Sequence, residues 1–399
     1  MMDFPVKWYS NAMQGAPSLG DTAAGALTAL LKAVLVTGFG NLTINALMWD
    51  AAEGAAKATF SGGHAYLQDS VIEVSGASPA AYNGEHRAKK VSSTEVWFEL
   101  DGGNPGSAGS GIMSMKVAPL GWTLTHESGD GQVAIYRPSN VSESGNVSLR
   151  IDNTAFSGWT GTSNAYLAKV AMVEDVIDID TYTLIFEHRW PATKRYSNGR
   201  WDFIGDSQLF YFLPAYASAN YQFLFCFGYL LSVRPGDRYH AVLSHYPTTS
   251  TSELSRNWAT NAGSSNTSYG NTFPLFDNTS YRVLARNFTQ LAGTINNWWT
   301  KGLFGRPGNG MNYPNGPDNA FYASASPPMV METGNELRGY LIGLIQPFVN
   351  VAALSGKNYI GLPALPGKIV RLIQVGYAES QTTAGQITLM GFDLTGPWR

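Results

Sequence analysis

One cysteine, Cys226, is the only sulfhydryl in the 399 residues. That excludes an internal disulfide framework and a cysteine-built metal cage, so the fold has to stand on packing. Cys226 lies between Phe225 and Phe227, the setting of a small buried hydrophobe rather than a reactive thiol. Charge is scarce too, at 14% of residues, against about 25% in an ordinary soluble domain. A surface so poor in charge is expected to be covered by neighbours. The formal net charge is −3, and with no positive field and no basic tract, no nucleic-acid partner is expected. The densest basic clusters are Arg87, Lys89, Lys90 and Arg189, Lys194, Arg195, Arg200; both read as solvated strand faces. The opening Met1-Met2-Asp3-Phe4-Pro5-Val6-Lys7 lacks the basic start and apolar centre of a secretory signal. The longest apolar runs, 221–233 and 340–354, fall short of the roughly 20 residues of a membrane helix. They are expected as buried core segments, with no membrane insertion.

Recognisable catalytic patterns are missing as well. There is no His-Glu-x-x-His helix, no Gly-x-Ser-x-Gly elbow, no phosphate loop and no dinucleotide fingerprint. The Gly-rich stretch 102–111 holds Ser107 and Ser110 but no lysine after a glycine in phosphate-loop fashion, so it reads as a hairpin loop. Glu174, Asp175, Asp178 and Asp180 are interleaved with apolar residues. Such carboxylates can hold a hard cation, but no Gly-containing ligand loop accompanies them. Of the six histidines only His240 and His245 are near neighbours, and a spacing of five puts them on opposite faces of a strand. Asp202 and Asp206, beside Trp201, Phe203 and Tyr211, are the pair to consider for glycoside cleavage. Weighed together, these groups lead us to expect no catalytic residue, no metal site and no cofactor.

What the chain has in quantity is aromatic residues, 20 Tyr, 19 Phe and 11 Trp, with 43 Gly and 20 Pro for turns. That composition favours a mainly β protein of more than one unit. A single short helix is expected: Asp21 or Thr22 caps it, Ala24, Leu27, Leu30, Leu31, Val34 and Leu35 form its apolar stripe, and Gly38 stops it. Residues 1–43 are thus read as an arm and helix. Residues 44–119 are read as a small β-barrel or sandwich, with strands near 58–60, 70–75, 87–91, 95–100 and 111–117. Residues 120–399 are read as a larger β-sandwich or jelly-roll-like domain. Its strands are placed near 132–137, 146–151, 166–173, 181–187, 207–213, 221–233, 329–332, 368–375 and 386–392. A long polar excursion at about 248–317, broken by a strand near 281–285, reads as contact-making.

Trp and Tyr dominate contacts with proteins and sugars because each offers large rigid area at little entropic cost. Trp8 and Tyr9 in the N-terminal arm, and Trp298, Trp299 and Tyr313 in the excursion, are therefore the candidate residues for subunit or glycan contact.

Several segments carry a resemblance. They are Val6-Lys7-Trp8-Tyr9-Ser10-Asn11 and the residues that follow to Pro17, the turn Tyr82-Asn83-Gly84-Glu85-His86-Arg87, and the junction Lys116-Val117-Ala118-Pro119-Leu120-Gly121-Trp122. Trp201-Asp202-Phe203-Ile204-Gly205-Asp206-Ser207 with Phe210-Tyr211-Phe212, and Phe392-Asp393-Leu394-Thr395-Gly396-Pro397-Trp398-Arg399, complete the set. Together they resemble virion structural proteins of tailed bacteriophages. The resemblance implies a virion component made in the host cytoplasm, in the tail or baseplate, or alternatively in the capsid or collar. It implies other virion proteins as partners and a homo-oligomer of three-fold or six-fold symmetry. A module binding bacterial surface glycan is a further alternative. No catalytic residue transfers from the resemblance.

Overall fold

A computed structural model of the chain describes residues 4–19, 24–141, 144–155, 167–192, 199–215, 222, 224–245, 282–293, 296–301, 314–324, 326–332, 334, 336–348, 352–363, 365–375 and 388–399, the side chains of 296–301, 352 and 388 excepted. It is mainly β, of the sandwich type, built from four antiparallel sheets.

The first sheet, here the N-terminal curl, holds seven strands whose two ends in the order are Phe39–Thr43 and Ala46–Asp50. Only Ile44 and Asn45 separate those two strands in the chain, so the sheet bends round on itself, as a small barrel requires. The second, the meander, runs Thr123–Glu127, Val133–Arg137, Ser148–Asp152, Leu167–Glu174 and Thr183–Pro191 in sequential order. One of its faces sends Tyr136, Leu149, Ile151, Val170 and Met172 into the main core. The other buries Ile135, Ala171 and Val173 under Val176, Ile179 and Tyr182 of the following turn. This is the period-two alternation of a strand buried on both faces.

The third, the long sheet, has ten strands. It begins at Lys7–Ser10, passes through Trp201–Gly205, Leu209–Pro214 and Phe225–Tyr229, and ends at Leu231–Ser232. Leu230 alone separates Phe225–Tyr229 from Leu231–Ser232, yet those strands lie far apart in the order, so this sheet also curls. The closure needs Gly339: a Cβ there would sit 2.2 Å from Leu230 Cδ1 and from the Leu231 carbonyl. The run 221–233, expected as one buried segment, is therefore split at Leu230, where the chain crosses from one end of the curl to the other. The fourth, the C-terminal sheet, orders Leu344–Ile345, Thr388–Asp393, Ile369–Val375 and Lys357–Ile360.

The meander packs on the long sheet through aromatic rings. Trp190 meets Phe210, Phe212 and Phe225 at centroid distances of 6.1, 6.1 and 5.7 Å, and its indole N–H donates to the Ser244 carbonyl at 2.6 Å. Cys226 is buried there, its backbone N–H donates to Ser244 Oγ, and burial pushes its thiol up to about 11. One connected apolar core runs through the helix and all four sheets.

The only α-helix among the described residues is Ala26–Lys32, extended by a π-helical stretch Ala33–Thr37 that stops at Gly38. Leu27, Leu30, Leu31, Val34 and Leu35 are all fully buried, as the stripe predicts, whereas Ala24 is exposed because the helix begins only after Gly25. Its N-terminus is different: Asp21 and Thr22 lie outside the described residues, and the helix starts at Gly25, which has no side chain to cap it. Asn153 does that work from the meander, accepting the Leu27 N–H on Oδ1 at 2.9 Å. At the other end, the N–H groups of Leu120, Gly121 and Trp122 donate to the Val34 and Leu35 carbonyls. The helix is thereby fixed between two sheets. Within the segment expected as an arm and helix, Lys7–Ser10 belongs to the long sheet, the helix to the shared core and Phe39–Thr43 to the N-terminal curl.

Two outcomes follow. Asn153→Ala, which removes the remote cap, lowers unfolding free energy by about 1 kcal/mol in urea titration. Acid also destabilises the fold. Burial pushes His188 down to about 3, helped by the stacked ring of His245 at 3.8 Å and by Arg189. Burial likewise pushes His240 down to about 4 against the opposing pull of Asp237. Both folded values lie below the roughly 6.5 of a free histidine, so the unfolded chain takes up these protons first. Stability is full above about pH 6.5 and falls by about 1.4 kcal/mol per histidine per pH unit toward pH 4. Thermal melts between pH 7 and 4 read the slope.

Candidate functional site

Five segments distant in sequence meet at one joint beneath the N-terminal strand. Lys7–Ser10 pairs antiparallel with Trp201–Gly205, placing Trp8 opposite Ile204 and Tyr9 opposite Phe203. The buried Lys7 ammonium donates to Glu85 Oε1 and to the Pro119 carbonyl, both at 2.6 Å. The Tyr9 hydroxyl donates to the Ala118 carbonyl at 3.0 Å, and burial holds its phenol well above the usual range. The Trp122 indole N–H donates to the Asp206 carbonyl at 3.0 Å, and Arg87 Nη2 donates to the Leu394 carbonyl at 2.9 Å. Arg399 closes the joint with Nε on Asp206 Oδ2 at 3.0 Å and Nη2 on the Tyr229 carbonyl at 3.1 Å. Trp398 packs so closely on Gly343 that a Cβ there would lie 2.2 Å from its ring.

The two carboxylates considered for glycoside cleavage are not brought together. Asp202 and Asp206 are four residues apart along extended chain, about 13 Å, beyond the roughly 5–9.5 Å that flanks a scissile sugar bond. Each is committed elsewhere. Asp202, fully buried, accepts from Arg371 Nη2 at 2.8 Å, Arg371 Nε at 3.1 Å and Gln222 Nε2 at 2.8 Å, with Arg200 Nε at 3.7 Å. Asp206 accepts the backbone N–H groups of Gln208 and Leu209 besides Arg399.

The four carboxylates of the acidic run each have different partners. Glu174 pairs with Arg286, Asp175 accepts from Asn146, Asp178 caps the N–H groups of Asp180 and Thr181, and Asp180 lies 3.7 Å from Arg150. No cluster of three or more metal-ligating side chains occurs among the described residues. His240 and His245 are separated as expected, the first against the Tyr229 ring and the second stacked on His188. A second buried network links Arg338 to Asp237 at 2.7 Å and Glu332 at 3.4 Å. Burial opposes the Asp237 charge, but the Arg338 contact outweighs it and holds the carboxyl below its ordinary value; Glu332, more loosely held, is pushed up by burial.

The aromatic candidates fare unequally. Trp8 and Tyr9, expected on an arm reaching a neighbour, are 3% and 0% exposed in the chain's own core. The correction has a simple cause: the pairing with Trp201–Gly205 places both rings inside the chain, Tyr9 against Phe39 and Phe203. Trp298 and Trp299 lie on Asn296–Lys301, in register with Glu332 and Met331. Tyr313 lies outside the described residues, as does most of the excursion.

Over the joint opens a groove of about 730 Å³, lined by the N-terminal strand, the loop at Leu67–Asp69, Arg200, and the Gly356–Asn358 and Arg371 segments of the C-terminal sheet. The Arg371 guanidinium lies 4.1 Å over the Trp8 ring and donates to Asn358 Oδ1 at 3.0 Å. Asn358 in turn donates to Asp69 Oδ2 at 3.0 Å. Sequence reasoning missed this site because its residues come from separate segments with no local spacing to mark them. The legible signs were Arg200, counted within a basic cluster, and Trp8, named as a contact residue of the arm. No protein-family model matches the chain, and no curated protein matches it.

Asp202→Asn keeps the shape of the side chain but leaves Arg371 and Arg200 without their buried counter-charge. The cost is about 3–5 kcal/mol, read as a lower urea midpoint.

Proposed function

We propose that the chain is a structural subunit of a tailed-bacteriophage virion, placed in the tail or baseplate and assembled with other virion proteins and with copies of itself. The observation that supports this is the joint. All five segments that carry the resemblance meet there, and their charged groups are spent on ion pairs and hydrogen bonds that lock sheets together. A body fixed in this way suits a part that must hold shape under load. Ring assembly uses heterologous contacts, one patch against a different patch next door. The low charge fits that use, and so do large apolar side chains left in solvent, among them Ile112 at 92%, Ile177 at 74% and Leu291 at 68% exposure.

Gold-labelled antibody on purified virions tests the placement. Label at one end of the tail is expected. Label on the head moves the protein to the capsid or collar, and absence of the protein from the particle overturns the proposal. Light scattering of the purified chain is expected to give a trimer or hexamer, and a strict monomer at high concentration counts against ring assembly.

A further inference from the structure

The groove over the joint is rich in donors and poor in acceptors. Arg200, Lys357 and Arg371 line it, and the only carboxylate in the lining, Asp69, is already engaged by Asn358. Beneath it the buried Asp202 answers two guanidiniums, Arg371 at 2.8 Å and Arg200 at 3.7 Å, which leaves Arg200 under-compensated. Lys357 has no carboxylate partner among the described residues. The indole N–H of Trp8, another lining residue, has no hydrogen-bond partner there either. Three cations thus face two carboxylates, an excess of one positive charge in a chain that is negative overall.

The rest of the lining narrows the ligand. Asn11, Gln68 and Asn358 bring amides, which both donate and accept, and so suit hydroxyl groups. A nucleobase would need an open aromatic face, but the Trp8 ring is covered by Arg371 and otherwise buried. The volume of about 730 Å³ lies within the size range of small-molecule sites. We propose that this groove binds an anionic saccharide unit, its carboxylate or phosphate held between Arg200 and Lys357 and its hydroxyls met by the amides. The groove's chemistry is independent of the virion role.

Calorimetric titration of the full chain with digalacturonate and with glucose 1-phosphate tests this, with cellobiose and inorganic phosphate as controls. At least one anionic sugar is expected to bind, and whichever binds tells a uronate from a sugar phosphate. Cellobiose and phosphate are expected to bind at least about tenfold more weakly, and added salt to weaken the anionic sugar. Lys357 is exposed, so Lys357→Ala should leave the melting curve unchanged while cutting affinity by about tenfold or more. Arg200→Gln should cut affinity as well, with a lower melting temperature because it also gives up its 3.7 Å contact to the buried Asp202. Equal binding of cellobiose or of inorganic phosphate, no binding of either anionic sugar at millimolar concentration, or full affinity in both variants overturns the proposal.

Discussion

Three of the four sheets meet at one short pairing, that of Lys7–Ser10 against Trp201–Gly205. Lys7 and Tyr9 bind on one face of the N-terminal strand and Trp8 on the other. Lys7 reaches the N-terminal curl through Glu85 and the junction through Pro119, Tyr9 reaches Ala118, and Trp8 lies under Arg371 of the C-terminal sheet. The partner strand supplies Asp202, which holds Arg371 from below. Removing the strand would take away the Lys7, Tyr9 and Trp8 contacts among the three sheets and leave Asp202–Arg371 and Asn358–Asp69 as polar links between them.

A chain with few charges puts several of them inside. Lys7, Asp202, Asp237, Glu332, Arg338 and Arg371 are all buried. Buried ion pairs add little net stability, because desolvation consumes most of the Coulomb gain, but losing one partner is costly. Their effect here is to fix geometry: Lys7–Glu85 and Asp202–Arg371 join different sheets, and Arg338 ties Glu332 of the neighbouring strand to the loop at Asp237. The apolar core supplies the bulk of the stability and the ion pairs set the register between sheets.

Local pattern was legible where local forces decide. The helix stripe from Leu27 to Leu35 and four of the five strands of the meander were readable because their alternation reflects burial of their own faces, whereas Thr123–Glu127, half-buried along most of its length, was not. Glycine turns marked most of the N-terminal curl. The N-terminal strand read as an arm because Trp8 to Met13 mix polar and aromatic residues that a short helix could not fully bury, and nothing nearby announces Glu85 or Pro119 as partners. Trp201–Gly205 escaped notice as a strand for the same reason, since a fully buried Asp202 makes sense only once Arg371 is beside it. Asp21 and Thr22 were plausible caps, yet Asn153 takes the role from the meander. The groove was invisible in sequence because it exists only where three sheets meet.

The central claim is that the N-terminal strand is a structural member of the core rather than a loose arm. Native-state hydrogen exchange of the Lys7–Ser10 amides measures this directly. Those amides bonded to Trp201–Gly205 are expected to exchange only through global unfolding, with the same opening free energy as the Leu209–Pro214 strand, the other neighbour of Trp201–Gly205. Exchange through a low-energy local opening, with the rest of the long sheet still protected, would contradict it.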